Sequence, residues 1–350
     1  MAEPSENSGL QRYDRQMRFR PLGVEGQQSL LKSRVLVCGC GALGSVSAEL
    51  LARAGVGHLR IVDRDFLELN NLQRQSLYDE ADVSSGLPKA EAAARKLRRI
   101  NSEIQIEPIV ADVGSKNISS LMDGCDLVMD GTDNFETRFL LNDACLEYRV
   151  PWVFAGCLGA EGQTMTVVPE QSACLHCLMP DGPPEPGTMP TCDNAGILAT
   201  IISVMASIQV TEALKILGGQ IDQVSRSLTV INLWDNQYRS LDTSQLRHQG
   251  PCPACVQGKR DWLHGQRGSH ATLLCGRNAV QVRLSDESRF DLSAIAGQIP
   301  VDQISLRNEF MLRVVHEDLH LTLFPDGRVI VNGTEDEHRA KSAVARVVGH

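Results

Sequence analysis

The chain has 350 residues, of which 42% are hydrophobic and 22% are charged, and its formal net charge is -9. This composition is that of a folded protein with one large core or two domains. The negative charge disfavours nonspecific binding to nucleic acid, whose phosphates would be repelled, so no DNA partner is expected. Residues 1–9 are polar and acidic, unlike a secretory signal, and an odd number of cysteines, 11, suits a reducing compartment. We therefore expect a cytoplasmic protein.

Strand-like and helix-like segments alternate through the first half of the chain. Residues 10–33 predict a helical arm that is rich in arginine and glutamine. Buried strands are predicted at 34–38, 58–62, 104–110, 127–129 and 152–154, and helices at 45–54, 89–100 and 135–147. Such alternation is typical of an α/β protein with a Rossmann-like, doubly wound parallel sheet.

The second half is interrupted by loops. Residues 180–190 are dense in proline and glycine, which excludes a regular element, and they lead to Thr191 and Cys192. The apolar run at 197–208 predicts a buried helix, since it is too short and too charged downstream to span a membrane. That helix ends at Gly218, and a further strand is predicted at 228–233.

The last 80 residues have a different pattern. Alternating apolar runs occupy 279–284, 311–315 and 319–324, followed by a Pro-Asp-Gly turn at 325–327, a strand at 328–331 and a helix at 335–348. The turn predicts a hairpin, and the whole predicts a small α+β module. We accordingly expect a helical arm at 1–33, a large α/β domain at 34–256, a linker at 257–270 and the module at 271–350.

Two Cys-x-x-Cys pairs stand far apart in the chain, Cys174 with Cys177 and Cys252 with Cys255. Four thiolates are the ligand set of a closed tetrahedral zinc site, which leaves no position open for water. We therefore predict a structural zinc site that joins two distant segments of one domain. A redox pair and unpaired structural thiols are the alternatives.

A glycine-rich loop, Gly39 to Gly44, follows the first predicted strand and opens a helix. It has the pattern G-x-G-x-x-G, in which Gly39, Gly41 and Gly44 let the backbone approach phosphate groups at the helix N-terminus. Asp63 ends the second strand and is placed to hold ribose hydroxyls. This loop alone is compatible with NAD, FAD or ATP.

Three charged residues favour a triphosphate over a nicotinamide. Arg74 and Lys89 follow the second strand, where positive charge would stabilise a transferring phosphoryl group. Asp133 lies after the fourth strand and faces the same crevice, so it is the candidate ligand of Mg²⁺. Surface ion pairs are the alternative reading of each charge taken singly.

Taken together, these segments resemble the ThiF/MoeB-type adenylyltransferases, which activate ubiquitin-like and sulfur-carrier proteins. The matching stretches stand in the family's order and cover about residues 10–256: Arg12–Gln16, the glycine loop, Asp63 and Asp65, Asn71–Gln75, Pro88–Lys89, Gly131–Asn134, both cysteine pairs and Thr191–Cys192. The glycine loop departs from the family pattern at Ala42, where a further glycine is common.

The resemblance implies a reaction. A carrier protein would present its C-terminal glycine carboxylate to the α-phosphate of ATP, giving an acyl-adenylate and pyrophosphate before sulfur transfer or conjugation. The family's pattern assigns nucleotide binding to Asp63 and Asp65, and orientation of phosphate or the carrier tail to Asn71 and Gln75. Arg74 and Lys89 would bind phosphates, and Asp133 would hold Mg²⁺.

Two further residues take their roles from the resemblance alone. Arg15 would reach the active site of a second subunit, which implies a symmetric homodimer. Cys192 would accept the activated acyl group as a thioester or an acyl-disulfide, and a spectator thiol is the alternative. Residues 271–350 are too short for a rhodanese domain and contain only Cys275, so a separate sulfur donor, a desulfurase or a rhodanese, is expected.

Other functions stay open at this point. ATP-dependent dehydration of a modified tRNA base belongs to the same superfamily, and an NAD-dependent oxidoreductase or a noncatalytic scaffold would keep the fold. The sequence does not name the carrier, which could serve molybdopterin, thiamine or cysteine biosynthesis, tRNA thiolation or bacterial conjugation.

Overall fold

The computed structural model describes residues 8–184, 195–267, 278–283 and 289–349. The chain divides into two compact units, Met1–Gly268 and Ser269–His350.

The helical arm of the first unit is broken rather than continuous. A 3-10 turn at Ser8–Tyr13 leads into helix α1 (Asp14–Met17), and helix α2 (Gly23–Lys32) follows after a turn. The sequence prediction of helix over 10–33 was wrong between these helices. Pro21 explains the break, because proline has no N–H to donate and restricts the residue before it.

Five parallel strands form the centre of the first unit. They are β1 (Arg34–Cys38), β2 (His58–Val62), β3 (Gln105–Ile109), β4 (Leu127–Asp130) and β5 (Trp152–Leu158), in the order β3-β2-β1-β4-β5. The helices between them are α3 (Ala42–Ala54), α4 (Glu80–Ser85), α5 (Lys89–Ile100), α6 (Ile118–Met122) and α7 (Phe135–Tyr148). The strand order reverses between β1 and β4, which places a ligand crevice at their carboxyl ends. The predicted Rossmann-like fold is confirmed.

An antiparallel extension completes the sheet. Strands β6 (Glu161–Val167), β7 (Ser227–Asn232) and β8 (Gln237–Asp242) follow β5 to give eight strands in all. The sequence predicted the parallel core of this sheet but not its antiparallel extension, because β6 and β8 were not predicted. Gly159, at φ 59°, lets the chain reverse directly after β5, and every residue of β8 is exposed, so β8 has no buried apolar face to mark it.

The long apolar helix α9 (Ala199–Leu217) packs against α3 and the sheet; the short helix α8 (Leu175–Leu178) precedes it. By length and composition alone, α9 could cross a membrane, and half of its apolar window is buried inside the protein. Gln209 on its buried face donates to the carbonyls of Asp130 and Val153, both 3.0 Å away. The predicted buried helix is therefore a core helix of the first unit, with Ser203 and Ser207 on its exposed side.

The second unit is a five-stranded antiparallel sheet with helices. Its elements are β9 (Ala279–Arg283), α10 (Leu292–Ala296), β10 (Ile304–Arg307), β11 (Leu312–His316), β12 (Leu319–Leu323), β13 (Arg328–Asn332) and α11 (Glu337–Val348), with sheet order β10-β11-β12-β13-β9. The predicted hairpin is present between β12 and β13, where Gly327 has φ 83°. Buried residues such as Leu321, Val329 and Val344 form its own core. Strand β10 and helix α10 were not predicted.

Candidate active site and zinc site

Glycines pack tightly against one another where β1 and β4 end at the crevice. A Cβ atom added to Gly44 would lie 1.8 Å from the Gly39 carbonyl oxygen, and one added to Gly131 would lie 2.4 Å from the same oxygen. These two glycines are therefore required by packing of the protein against itself. Gly41 differs, because the nearest atom to its added Cβ is Gln75 Nε2, 3.9 Å away. The space beside Gly41 is therefore not filled by the close packing seen at Gly44 and Gly131.

Asp63 organises the glycine loop from the end of β2. Its two carboxylate oxygens accept backbone N–H groups from Cys40 and Asp65, each at 2.7 Å. Burial raises the pKa of Asp63, and the neighbouring Lys89 opposes that rise. Each carboxylate oxygen keeps a second lone pair, which can accept a ribose hydroxyl.

Lys89 and Asp65 form a charged pair at the start of α5. The Lys89 backbone N–H donates to the Asp65 carbonyl at 2.8 Å, and its buried Nζ lies 3.3 Å from Asp65 Oδ2. Arg64 extends this cluster with an ion pair to Asp112 at 2.7 Å. Burial lowers the pKa of Arg64, but Asp112, Asp65 and Asp133 outweigh it and raise the pKa overall. The Asp133 carboxylate therefore belongs to the same electrostatic neighbourhood.

The segment after β2 supplies three predicted side chains. Asn71 is buried, and its Oδ1 accepts the Glu68 N–H at 3.2 Å. Arg74 is half-buried and donates to the Asn70 carbonyl at 2.9 Å. Gln75 is only 4% exposed, yet its Oε1 has no hydrogen-bond partner among the described residues. A buried amide oxygen in this condition costs free energy unless a ligand or water satisfies it.

Asp133 stands at the tip of the loop between β4 and α7. Asn134 caps α7 by accepting the Thr137 N–H at 2.8 Å, and the exposed Asp133 side chain precedes this cap. Its carboxylate is open to solvent at the carboxyl end of β4, as expected for a residue that could hold Mg²⁺.

Sequence reasoning missed the buried pair beneath this loop. Asp130 accepts the N–H and the hydroxyl of Thr132 on one carboxylate oxygen, at 2.9 and 2.7 Å. Its other oxygen lies 3.0 Å from Arg138 Nε. Arg138 Nη2 donates to the carbonyls of Thr132 and Ala155 at 2.8 and 2.9 Å. The one available signal was that Arg138 follows Asn134 by one helical turn.

Among the described residues, one predicted side chain, that of Arg15, does not join this site. Arg15 is exposed on α1. The next residue, Gln16, donates to the Ala54 carbonyl at 2.9 Å. Ala54 ends α3, whereas the glycine loop lies at the start of α3, about 20 Å away along a helix of that length. Arg15 is therefore remote from the crevice of its own chain. Cys192 lies outside the described residues, as does Cys275.

The four predicted zinc ligands converge. The Sγ atoms of Cys174 and Cys177 are 3.8 Å apart, those of Cys174 and Cys252 are 3.7 Å apart, and those of Cys177 and Cys255 are 3.5 Å apart. All four sulfurs lie within 4.8 Å of one another. A tetrahedral zinc site with bonds of about 2.3 Å has sulfurs about 3.8 Å apart, so this donor set fits zinc.

Both segments that carry the predicted zinc ligands are hydrogen-bonded to α7. Asn142 Oδ1 accepts the N–H of Leu175, which lies between the first two cysteines, at 2.9 Å. Asp143 Oδ2 accepts the N–H of Trp262, which follows the second pair, at 3.0 Å. The Trp262 ring lies 5.6 Å from that of Phe139, between centroids. Burial raises the pKa of Asp143 to about 6. The four-cysteine site thus supports the helix that follows the candidate magnesium ligand.

Comparison with known proteins gives one family and several relatives that this chain resembles. The sequence profile of the ThiF family matches residues 13–254. The sulfur carrier protein ThiS adenylyltransferase of Bacillus subtilis is 42% identical over 97% of this chain and 99% of its own length. The SAMP-activating enzyme E1 of Haloferax volcanii is 40% identical over 72% of this chain and 91% of its own.

A solved structure supports the fold. The crystal structure of Escherichia coli MccB with ATP matches with a TM-score of 0.60 and 22% identity, over 73% of this chain and 77% of that chain. At this identity the likeness concerns the fold alone.

Proposed function

The chain belongs to the ThiF family of adenylyltransferases, and we propose that it activates the C-terminal glycine carboxylate of a ubiquitin-like sulfur-carrier protein with ATP. The extent of similarity to the Bacillus subtilis enzyme favours a carrier of the ThiS type, which would place the chain in thiamine biosynthesis. A single observation carries the assignment of the site: the unpaired, buried Gln75 Oε1 and the open space beside Gly41 adjoin each other in the crevice.

The reaction joins the carrier carboxylate to the α-phosphate of ATP. The carboxylate is already ionised at neutral pH, so no general base is needed. A bond forms between a carboxylate oxygen and the α-phosphorus, the bond from that phosphorus to the bridging oxygen breaks, and pyrophosphate leaves with the electron pair. Catalysis then depends on positioning and on neutralisation of negative charge.

The charged residues of the crevice suit these two tasks. Asp63 and Asp65 would bind the ribose side of ATP, while Lys89 and Arg74 would neutralise the phosphates. Asp133 would hold Mg²⁺, which supplies positive charge to the phosphate oxygens when bound. Lys89 is buried against Asp65, so its ammonium is held in place before ATP arrives. Asn71 and Gln75 would orient phosphate or the carrier tail.

Two roles extend beyond this crevice. We propose that Arg15 acts on the site of a second subunit in a symmetric homodimer, since it lies far from the crevice of its own chain. Cys192 is the proposed acceptor of the activated acyl group, with sulfur supplied by a separate desulfurase or rhodanese.

The four-cysteine site is proposed to hold a structural zinc ion. The compartment we expect is the cytoplasm.

ATP–pyrophosphate exchange tests this function. Purified protein is incubated with Mg²⁺, ATP and labelled pyrophosphate, together with a ThiS-type carrier, a molybdopterin-type carrier or tRNA. We expect exchange that requires the ThiS-type carrier and is lost when its terminal glycine is removed. Exchange with the molybdopterin-type carrier alone would correct the choice of carrier. ATP hydrolysis stimulated only by tRNA would contradict the proposal.

A further inference from the structure

Tyr78 contacts two segments that border the crevice, the glycine loop and the start of α5. Its side chain is 6% exposed, and its hydroxyl lies 2.8 Å from the Cys40 carbonyl oxygen and 3.2 Å from the Lys89 carbonyl oxygen. Burial raises the pKa of Tyr78 well above its ordinary value, so the hydroxyl remains a donor. A hydroxyl has one proton to donate, and the shorter distance gives the main bond to Cys40.

The bond to Cys40 fixes the glycine loop. Cys40 is held on both sides, because its N–H donates to Asp63 Oδ2 at 2.7 Å and its carbonyl accepts the Tyr78 hydroxyl. The loop then enters α3, whose first N–H groups have no partner within the helix and are the donors that a phosphate would meet. The direction of these donors depends on the two peptide groups that flank Cys40.

The second contact of Tyr78 is with the start of α5. Lys89 is the first residue of α5, and its backbone N–H is fixed by the Asp65 carbonyl at 2.8 Å. Tyr78 therefore touches both the loop that presents N–H donors and the helix that carries the buried ammonium. A change at the Tyr78 hydroxyl would alter the spacing of the two groups that face the phosphates.

We propose that Tyr78 is a positioning residue for ATP, acting through its hydroxyl on the Cys40 carbonyl and on the start of α5. This inference rests on the proposed function, because ATP is the ligand that is positioned. Tyr78 touches neither the nucleotide nor the carrier in this account. Its main hydrogen bond is to the Cys40 carbonyl of the phosphate loop and not to Lys89, so its effect is on ATP affinity and not on the chemical step.

The chain contains a matched control for this residue. Tyr13 is 2% exposed, and its hydroxyl also makes one buried hydrogen bond, with Asn101 Nδ2 at 2.9 Å. Its ring packs against Gly55, just beyond the far end of α3. Tyr13→Phe and Tyr78→Phe thus remove the same group from equally buried surroundings at opposite ends of one helix.

Calorimetric titration with ATP and steady-state exchange kinetics test the proposal. Loss of one such hydrogen bond is expected to raise Kd and KM for ATP about 5- to 10-fold in Tyr78→Phe, with kcat unchanged at saturating ATP. Tyr13→Phe should lower the melting temperature while leaving the Kd for ATP unchanged.

The possible results distinguish failure of the positioning role from failure of the proposed function. If wild type binds ATP and Tyr78→Phe binds it equally well, Tyr78 has only a structural role and the positioning proposal is overturned. Equal losses of affinity in both variants would also overturn it, because the effect would then be global. A wild-type protein that binds no ATP would contradict the proposed function itself, and the positioning role with it.

Discussion

Arg138 and Asp130 form a buried ion pair, with Arg138 Nε 3.0 Å from Asp130 Oδ2, beneath the loop that presents Asp133. The same guanidinium holds the Thr132 carbonyl, and Asp130 holds the Thr132 N–H. The loop is therefore fixed on both sides of one residue. The candidate magnesium ligand is exposed, yet its backbone is positioned by groups that solvent does not reach.

Arg138→Met should destabilise the first unit strongly. Removal of one partner leaves the Asp130 carboxylate buried without its countercharge, a change that costs roughly 3–5 kcal/mol. Thr132→Val is milder, since it removes only the hydroxyl bond to Asp130, at 2.7 Å. It should raise the Mg²⁺ concentration needed for half-maximal exchange, with little loss of stability. Denaturant unfolding and Mg²⁺ titration of the exchange rate measure the two effects. An Arg138→Met protein as stable as wild type would refute this role.

Two glycines of one loop should respond oppositely to alanine. In Gly41→Ala the new methyl group has open space, so stability should be retained while Kd for ATP rises roughly 10-fold or more, about 1.4 kcal/mol. In Gly44→Ala the methyl group would lie 1.8 Å from the Gly39 carbonyl oxygen, so we expect destabilisation of about 1–3 kcal/mol. Thermal unfolding and ATP titration of both proteins check the contrast. The reverse pattern would show that Gly41, not Gly44, is needed for packing.

Lys89→Met should reduce kcat/KM for adenylation by about 10²–10³-fold, because a preorganised positive charge at the phosphates is lost. Lys96→Met is the control on the same helix. Lys96 pairs with Asp82 at 2.9 Å, outside the crevice. Exchange kinetics with a saturating carrier should separate the two variants. Similar rates in both would remove Lys89 from the catalytic set.

Cys177→Ser should abolish zinc binding, since one of four converging thiolates is lost. Cys125→Ser, at a half-buried thiol outside the cluster, should keep one zinc ion per chain. Bound zinc should also fall as pH is lowered, because protons compete with the metal for the thiolates. Metal analysis after dialysis at several pH values measures both effects. Full zinc content in Cys177→Ser would contradict the assignment.

The sequence predicted those parts of the fold that have a strong local pattern. Strand β1 is a β-branched run beside glycine, and α3 ends at Gly55, so both were located closely. Strand β8 was not predicted, because its pairing depends on neighbouring strands and not on a pattern in its own exposed residues. The four-cysteine cluster was predictable because ligand identity and spacing constrain it.

At the candidate active site, contacts between distant segments limited how much could be predicted from the sequence. Asp63, Lys89 and Asp133 were predicted from their positions at strand ends and in the following loops. Arg138 and Tyr78 were not, because their partners, such as Ala155 and Cys40, are backbone carbonyls far along the chain. No residue pattern marks which carbonyl a buried side chain will reach.

The intact mass of the carrier gives the most direct test of the central claim. A ThiS-type carrier is incubated with the protein, ATP and Mg²⁺ without a sulfur donor, and its mass is measured beside that of a carrier lacking the terminal glycine. We predict that the full-length carrier gains one AMP group, or is joined to the protein where Cys192 has taken its acyl group, and that the shortened carrier does neither. A full-length carrier of unchanged mass, with a protein that binds ATP and holds zinc, would contradict the account.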